Sequence, residues 1–280
     1  MKKILLASGC SYTDKNFKSL DNTLSDNYRG GWPMWPELMA NELNLDCVNV
    51  ASSGKDNDYI FDSILDGIIK YGDKIDTIAI LWTSADRVSF FNQVLIPFAE
   101  YHIKLMDKPS NSLLDWSKRY GISDISQRFM SGKYFNKSDM LKHWLQRPLS
   151  KIYAILHMCH VYGYKIIMAQ GPSYFEPKPL NDMVDAGYFQ ESHRISEKEI
   201  VNTFMRNDYF NFIENHKQYI IGWPFINTIG GYDLDIIRSH HNKQNNLIVS
   251  ENDFHPNAEG QNLIYKYFIK RYKKMQENNG

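Results

Sequence analysis

Four short apolar runs mark the chain, at residues 3–7, 46–50, 77–82 and 164–169. Each is nearly continuous rather than alternating, the pattern of a strand covered on both faces. Between them the apolar positions recur at helical spacing. Trp35, Leu38, Met39 and Leu43 share a face over residues 35–43, and Tyr59, Ile60, Ile64, Leu65 and Ile68 do so over 58–71. Ile152, Ile155, Leu156 and Cys159 repeat the pattern over 148–162. A fifth strand is expected at 219–222 and a closing helix over about 256–275. Strands alternating with helices predict an α/β fold: a parallel sheet with helices on both faces, a three-layer α/β/α sandwich.

Two stretches break the rhythm. Residues 90–147 are aromatic, polar and irregular, and read as an insertion packed over one end of the sheet; residues 171–194 form a second irregular connection. Long connections in a compact domain are usually lids or binding loops. Trp116, Tyr120, Phe129, Tyr134, Phe135 and Trp144 fit a sugar or acyl pocket as well as a dimer interface, and the oligomeric state stays open. With neither an internal repeat nor a low-complexity linker, residues 1–280 read as a single domain.

Composition narrows the class. The chain is long enough to bury a sizeable core, and its formal net charge is zero, so no global field favours nucleic acid or an anionic membrane. The basic run Lys270-Arg271-Tyr272-Lys273-Lys274 suits the solvated end of a terminal helix. Three scattered cysteines, Cys10, Cys47 and Cys159, suggest reduced thiols rather than a disulfide framework. The apolar run before Ser8 is short for a signal-peptide core, and no stretch approaches the roughly 18 apolar residues of a membrane span. A cytoplasmic location is the expectation.

Ligands of an open parallel sheet bind beyond the carboxyl ends of its strands. The positions to inspect are therefore residues 8–13, 51–57, 83–87 and 170–174. The first holds SGCSYTD, with Ser11 in a small turn. A serine hydroxyl is a poor nucleophile unless a base lies within hydrogen-bond reach. His255, next to Pro256 in SENDFHPNAEGQ, is the histidine best placed by its surroundings, because Asp253 and Glu251 lie just before it. A nearby carboxylate holds an imidazole in the tautomer that frees its other nitrogen for a serine. Other histidines carry less. His240-His241 lack an evident third ligand for a metal, and the histidines of HMCH, residues 157–160, are expected to make core or groove contacts. In IIGWPFINTIGG, packing against the sheet edge is favoured over substrate stacking.

At these positions the chain resembles the SGNH (GDSL-like) hydrolases. SGCSYTD resembles the G-D-S-x-T block, NVASSGKDN the second block and DFHPNAEGQ the D-x-x-H-P block, in the family's order; GWPMWPELMANELN resembles the family's first helix. The resemblance implies a flavodoxin-like strand order and ester chemistry without a cofactor. It implies Ser11 as nucleophile, His255 as base, and an oxyanion hole of the Ser11 and Gly54 N–H groups. Three positions depart from the pattern. Cys10 stands where the family has aspartate. The G-x-N-D block is replaced by LWTSADR, so Thr83 or Ser84 would donate to the oxyanion, with the Arg87 charge nearby. Asn252 occupies the acid's position and Asp253 lies one residue later, so the acid is Asp253 or absent. Trp82, Asn57 and Arg87 are candidates for substrate contact, and Asn57 fits a helix cap equally well.

The function expected on this basis is a serine esterase or acyl-hydrolase acting on a small or carbohydrate-linked ester of the O-acetyl type. A small-molecule or glycan ester would be its partner, with neither nucleic acid nor membrane involved. An O-acyltransferase, and a non-catalytic glycan-binding or structural protein on the same fold, are the alternatives. A flavodoxin-like nucleotide binder is disfavoured because no phosphate-cradling glycine motif follows the first strand.

Overall fold

The structure, a computed structural model, describes residues 2–85, 87–90, 93–95, 137–172, 174, 181, 185, 191, 194–225 and 247–278. Five strands form one parallel sheet: β1 (Ile4–Gly9), β2 (Asp46–Asn49), β3 (Ile75–Trp82), β6 (Lys165–Gln170) and β7 (Ile220–Ile221). Their spatial order is β2-β1-β3-β6-β7, which is the flavodoxin-like order 2-1-3-4-5. Two antiparallel ribbons stand apart from it: β4 (Val88–Phe90) with β5 (Gln93–Leu95), and β8 (Ile248–Ser250) with β9 (Asp253–Pro256).

The apolar strand runs are continuous because alternate side chains enter two different cores. Leu6, Ile78, Ile80, Trp82, Ile166 and Met168 face one side, with α2 (Asn57–Tyr71), α3 (Lys137–Tyr162), α4 (Glu197–Met205) and α5 (Asp208–Glu214). Leu5, Ala7, Ala79, Leu81, Ile167 and Ala169 face the other, with α1 (Trp35–Glu42) and α6 (Ala258–Asn278). Ala7 and Ala79 are register neighbours, and such small side chains leave room on this face for the stacked pair of Trp35 and Phe268, whose ring centroids are 4.1 Å apart. The tryptophan anticipated in the first helix thus packs as expected.

Four features differ from the sequence expectation. Helix α3 begins at Lys137, about three turns before the expected start, and Pro148 lies inside it. Leu141, Trp144 and Leu145 are therefore buried core residues of the sandwich rather than part of an insertion. Helices α4 and α5 were not anticipated; Ser196 and Glu199 close a capping box at the start of α4, and Asn207 caps α5. Pro256 ends strand β9 instead of opening the last helix. The turn to α6 is made by Asn257, whose Oδ1 accepts the Gly260 N–H at 3.0 Å while its Nδ2 donates to the Ile248 carbonyl at 2.9 Å. Finally, His157 and His160 are exposed on α3, where His157 stacks on Tyr153 at a centroid distance of 6.2 Å. Trp116, Tyr120, Phe129, Tyr134, Phe135, His240 and His241 lie outside the described residues.

Candidate active site

The chain leaves β1 at Gly9 and turns at once. The Cys10 carbonyl accepts the N–H groups of Thr13 at 2.9 Å and Asp14 at 3.1 Å, and this turn projects Ser11 above the sheet. Glycine is required at position 9, because a Cβ there would lie 2.2 Å from Thr13 Oγ1. Thr13 is itself fixed, accepting from Trp35 Nε1 at 3.1 Å. Gln261 of α6, fully buried, receives the Trp35 N–H and donates to the Tyr12 carbonyl at 3.1 Å. Buried Asp14 accepts from both the N–H and the hydroxyl of Ser53, joining the loops that follow β1 and β2.

His255 reaches this turn from β9. Its Nε2 is 2.8 Å from Ser11 Oγ, and its Nδ1 is 2.5 Å from Asp253 Oδ1. With the Ser11 hydroxyl donating to Nε2 and the Nδ1–H donating to the carboxylate, the three groups form one relay. The unusual spacing of acid and base has a simple cause. Residues i and i+2 of an extended strand project to the same side, so Asp253 and His255 meet while Phe254 between them is 43% exposed. The imidazole is held on two further sides, by Phe17 at a centroid distance of 4.4 Å and by Tyr12 edge-on at 5.4 Å.

The Asp253 carboxylate is the most elaborately held group of the site. Its Oδ1 also accepts the His255 backbone N–H at 3.1 Å, and its Oδ2 accepts the hydroxyl of Ser19, a residue with no solvent exposure. Burial pushes this carboxyl up, but hydrogen bonds from the His255 ring, the Ser19 hydroxyl and the His255 amide outweigh it and hold the pKa at about 2. The residue is therefore a carboxylate at neutral pH. A second tie, from Ser250 Oγ to Asp21 Oδ2 at 2.6 Å, fastens the β8–β9 ribbon to the same segment that carries Ser19.

Ser11, His255 and Asp253 border a cavity of about 330 Å³, together with Cys10, Thr83, Arg87 and the 171–172 turn. Other expected residues are placed differently. Gly54 is exposed, has φ +74°, and is not in the cavity wall. Ser84 is also outside the wall, with its hydroxyl 3.5 Å from the Tyr174 carbonyl. Asn57 is buried and neither caps a helix nor faces the cavity. Its side-chain oxygen accepts the Thr83 N–H and its nitrogen donates to the Thr83 carbonyl, each at 2.9 Å, while Asp56 supplies the cap of α2. Asn57 thus clasps the end of β3. Trp82 borders the cavity but is 1% exposed, with its Nε1–H directed to Met168 Sδ at 3.3 Å, so its ring offers no stacking surface. Thr83 is in the wall, and its Oγ1 is buried with no hydrogen-bond partner among the described residues.

Arg87 donates from Nη1 to Cys10 Sγ at 2.8 Å and to the Lys55 carbonyl at 3.4 Å. Ser19, Phe17 and this Arg87–Cys10 contact escaped the sequence reading. Each depends on a long-range approach, and no local pattern signals it. Trp223 packs against Phe204 of α4, Phe210 of α5 and Phe225, so its ring meets helices where packing on the sheet edge was expected; residues 226–231 of that segment lie outside the described residues.

No family model matches the chain, and no curated protein matches it. Similar solved structures include LAE5, an alpha/beta hydrolase enzyme from the metagenome of Lake Arreo, Spain (14% identity, TM-score 0.43, covering 96% of this chain and 94% of that one). They also include the psychrotrophic esterase EstA from Pseudoalteromonas sp. (11% identity, TM-score 0.43, 98% and 99%). A third is a catalytic mutant of Axe2, an acetylxylan esterase from Geobacillus stearothermophilus (11% identity, TM-score 0.44, 96% and 93%). Among the described residues, no helix is long and apolar enough to cross a membrane.

Proposed function

We propose that this chain is a serine ester hydrolase of the SGNH type that works through an acyl-enzyme. The observation that carries the reading is the relay of Ser11, His255 and Asp253, linked at 2.8 and 2.5 Å and bordering one cavity, although 244 positions separate the serine from the histidine. A buried serine that merely capped a turn would not require an imidazole held on one edge by a carboxylate and flanked by two aromatic rings.

In this mechanism Ser11 Oγ attacks the ester carbonyl as its proton passes to His255 Nε2. The new imidazolium is stabilised by Asp253, which stays ionised and keeps the ring in the required tautomer. Collapse of the tetrahedral intermediate breaks the bond to the alcohol, which leaves with the proton from Nε2. Water, deprotonated by the same nitrogen, then attacks the acyl-enzyme and returns Ser11 to its starting state. The cavity, at about 330 Å³, lies near the small end of ligand sites. That size favours a short acyl group, and an acetyl group carried on a carbohydrate or other small alcohol suits it. The test is turnover of p-nitrophenyl acetate by the wild-type chain and by Ser11→Ala. Turnover that disappears in the variant is expected; equal turnover in both would refute the assignment.

A further inference from the structure

The relay manages the proton, but attack by Ser11 also places a negative charge on the former carbonyl oxygen. Of the groups anticipated to receive it, Gly54 and Ser84 stand outside the cavity wall. The Thr83 N–H is committed to Asn57 Oδ1, which leaves its hydroxyl, in the cavity wall and without a partner among the described residues, as an uncharged donor. A guanidinium occupies the place between the loops after β1 and β2, because Arg87 Nη1 contacts Cys10 Sγ on one and the Lys55 carbonyl on the other. Cys10 Sγ is 3.7 Å from Ser11 Oγ, so Nη1 lies at most about 6.5 Å from that oxygen, the sum of the two distances through sulfur. An oxyanion sits two bonds out from Ser11 Oγ on the tetrahedral carbon, and one directed toward the guanidinium narrows that gap.

We propose that Arg87 is a charged member of the oxyanion hole and that Cys10 positions it; this rests on the serine hydrolase reading above. As the Oγ–C bond forms and the hydroxyl proton moves to His255 Nε2, the carbonyl π pair moves onto oxygen. That oxygen is met by the Ser11 N–H and by the Arg87 guanidinium. When the pair returns, the bond to the alcohol breaks and the alcohol takes the proton. Full negative charge exists only around the transition state, so the cation acts on kcat more than on substrate binding. A charge-assisted donor is stronger than a neutral amide side chain, and it offsets the absence of an asparagine at the end of β3. The Cys10 sulfur, as acceptor of the Nη1–H, gives a physical reason for a cysteine directly before the nucleophile.

The experiment compares wild type, Ser11→Ala, Arg87→Met and Arg87→Lys on p-nitrophenyl acetate, with fluorophosphonate labelling and thermal unfolding on each. Arg87→Met is expected to lower kcat by on the order of 10²–10³ with KM nearly unchanged. Arg87→Lys should fall between the two, and added guanidinium ion should restore part of the Arg87→Met rate. Ser11 should still be labelled in Arg87→Met, only more slowly, which separates lost catalysis from lost folding. A kcat for Arg87→Met within about threefold of wild type, or a loss confined to KM, overturns the Arg87 assignment while the hydrolase reading stands. Equal turnover by wild type and Ser11→Ala overturns both.

Discussion

Replacing Ser19 with alanine removes the buried hydroxyl that donates to Asp253 Oδ2 and leaves the rest of the relay in place. The gap between the Asp253 pKa of about 2 and its ordinary 3.8 corresponds to about 2 kcal/mol of stability at neutral pH. His255 still donates twice to the carboxylate in the variant. The expected cost is therefore about 1.5 kcal/mol at pH 7, the lower end for a hydrogen bond to a charged group. The sign of its pH dependence follows from linkage. A carboxyl whose folded pKa is depressed stabilises the fold above its unfolded pKa and loses that contribution as pH falls through the folded value. Removing Ser19 raises the folded pKa, so the difference between wild type and variant should be full above pH 4 and shrink between about pH 4 and pH 2. Urea unfolding followed by circular dichroism across that range measures it. Part of the cost does not vary with pH, because Ser19 Oγ also accepts the Asp21 N–H at 3.1 Å. A difference that stays constant down to about pH 2 would show that Ser19 holds the loop and not the charge.

Asn57→Leu should cost about 2–4 kcal/mol in chemical unfolding, since it strands the buried N–H of Thr83 and takes one donor from its carbonyl; a cost near zero would contradict the clasp. Burial pushes the Cys159 thiol up to about 12, so it should not react with a disulfide reagent at pH 8 until the chain is unfolded. Prompt reaction of Cys159 in the folded protein would contradict its placement in the core. Asp253→Asn should fold but lose on the order of 10⁴ in kcat, the cost of a wrong tautomer in a well-studied triad. A small loss would mean that Ser11 and His255 work as a pair.

The four main strands were readable because each sends side chains into two cores, which forces nearly unbroken apolar runs at β1, β3 and β6. Helices α1 and α2 were readable for the opposite reason, having a single apolar face each. The early start of α3 was hidden by Pro148, which reads as a helix opener yet sits in the interior. The β8–β9 ribbon was hidden because its strands are only three and four residues long, and with it went the explanation of the two-residue step from Asp253 to His255. Ser11, His255 and Asp253 could be singled out from local sequence, because Ser11 follows an apolar strand run and Asp253 and His255 lie shortly before the last helix. Their supports were not. Ser19 meets Asp253 across 234 positions and Arg87 meets Cys10 across 77, and side chains that act by filling one another's hydrogen bonds leave no periodic trace.

In the proposed mechanism His255, oriented by Asp253, activates Ser11. Peptide mapping by mass spectrometry after fluorophosphonate treatment tests it most directly, on wild type and His255→Ala. One adduct is expected, on Ser11, formed promptly in the wild-type chain and nearly absent from the variant. An unlabelled Ser11 in wild type, or labelling at the same rate without the imidazole, would contradict it.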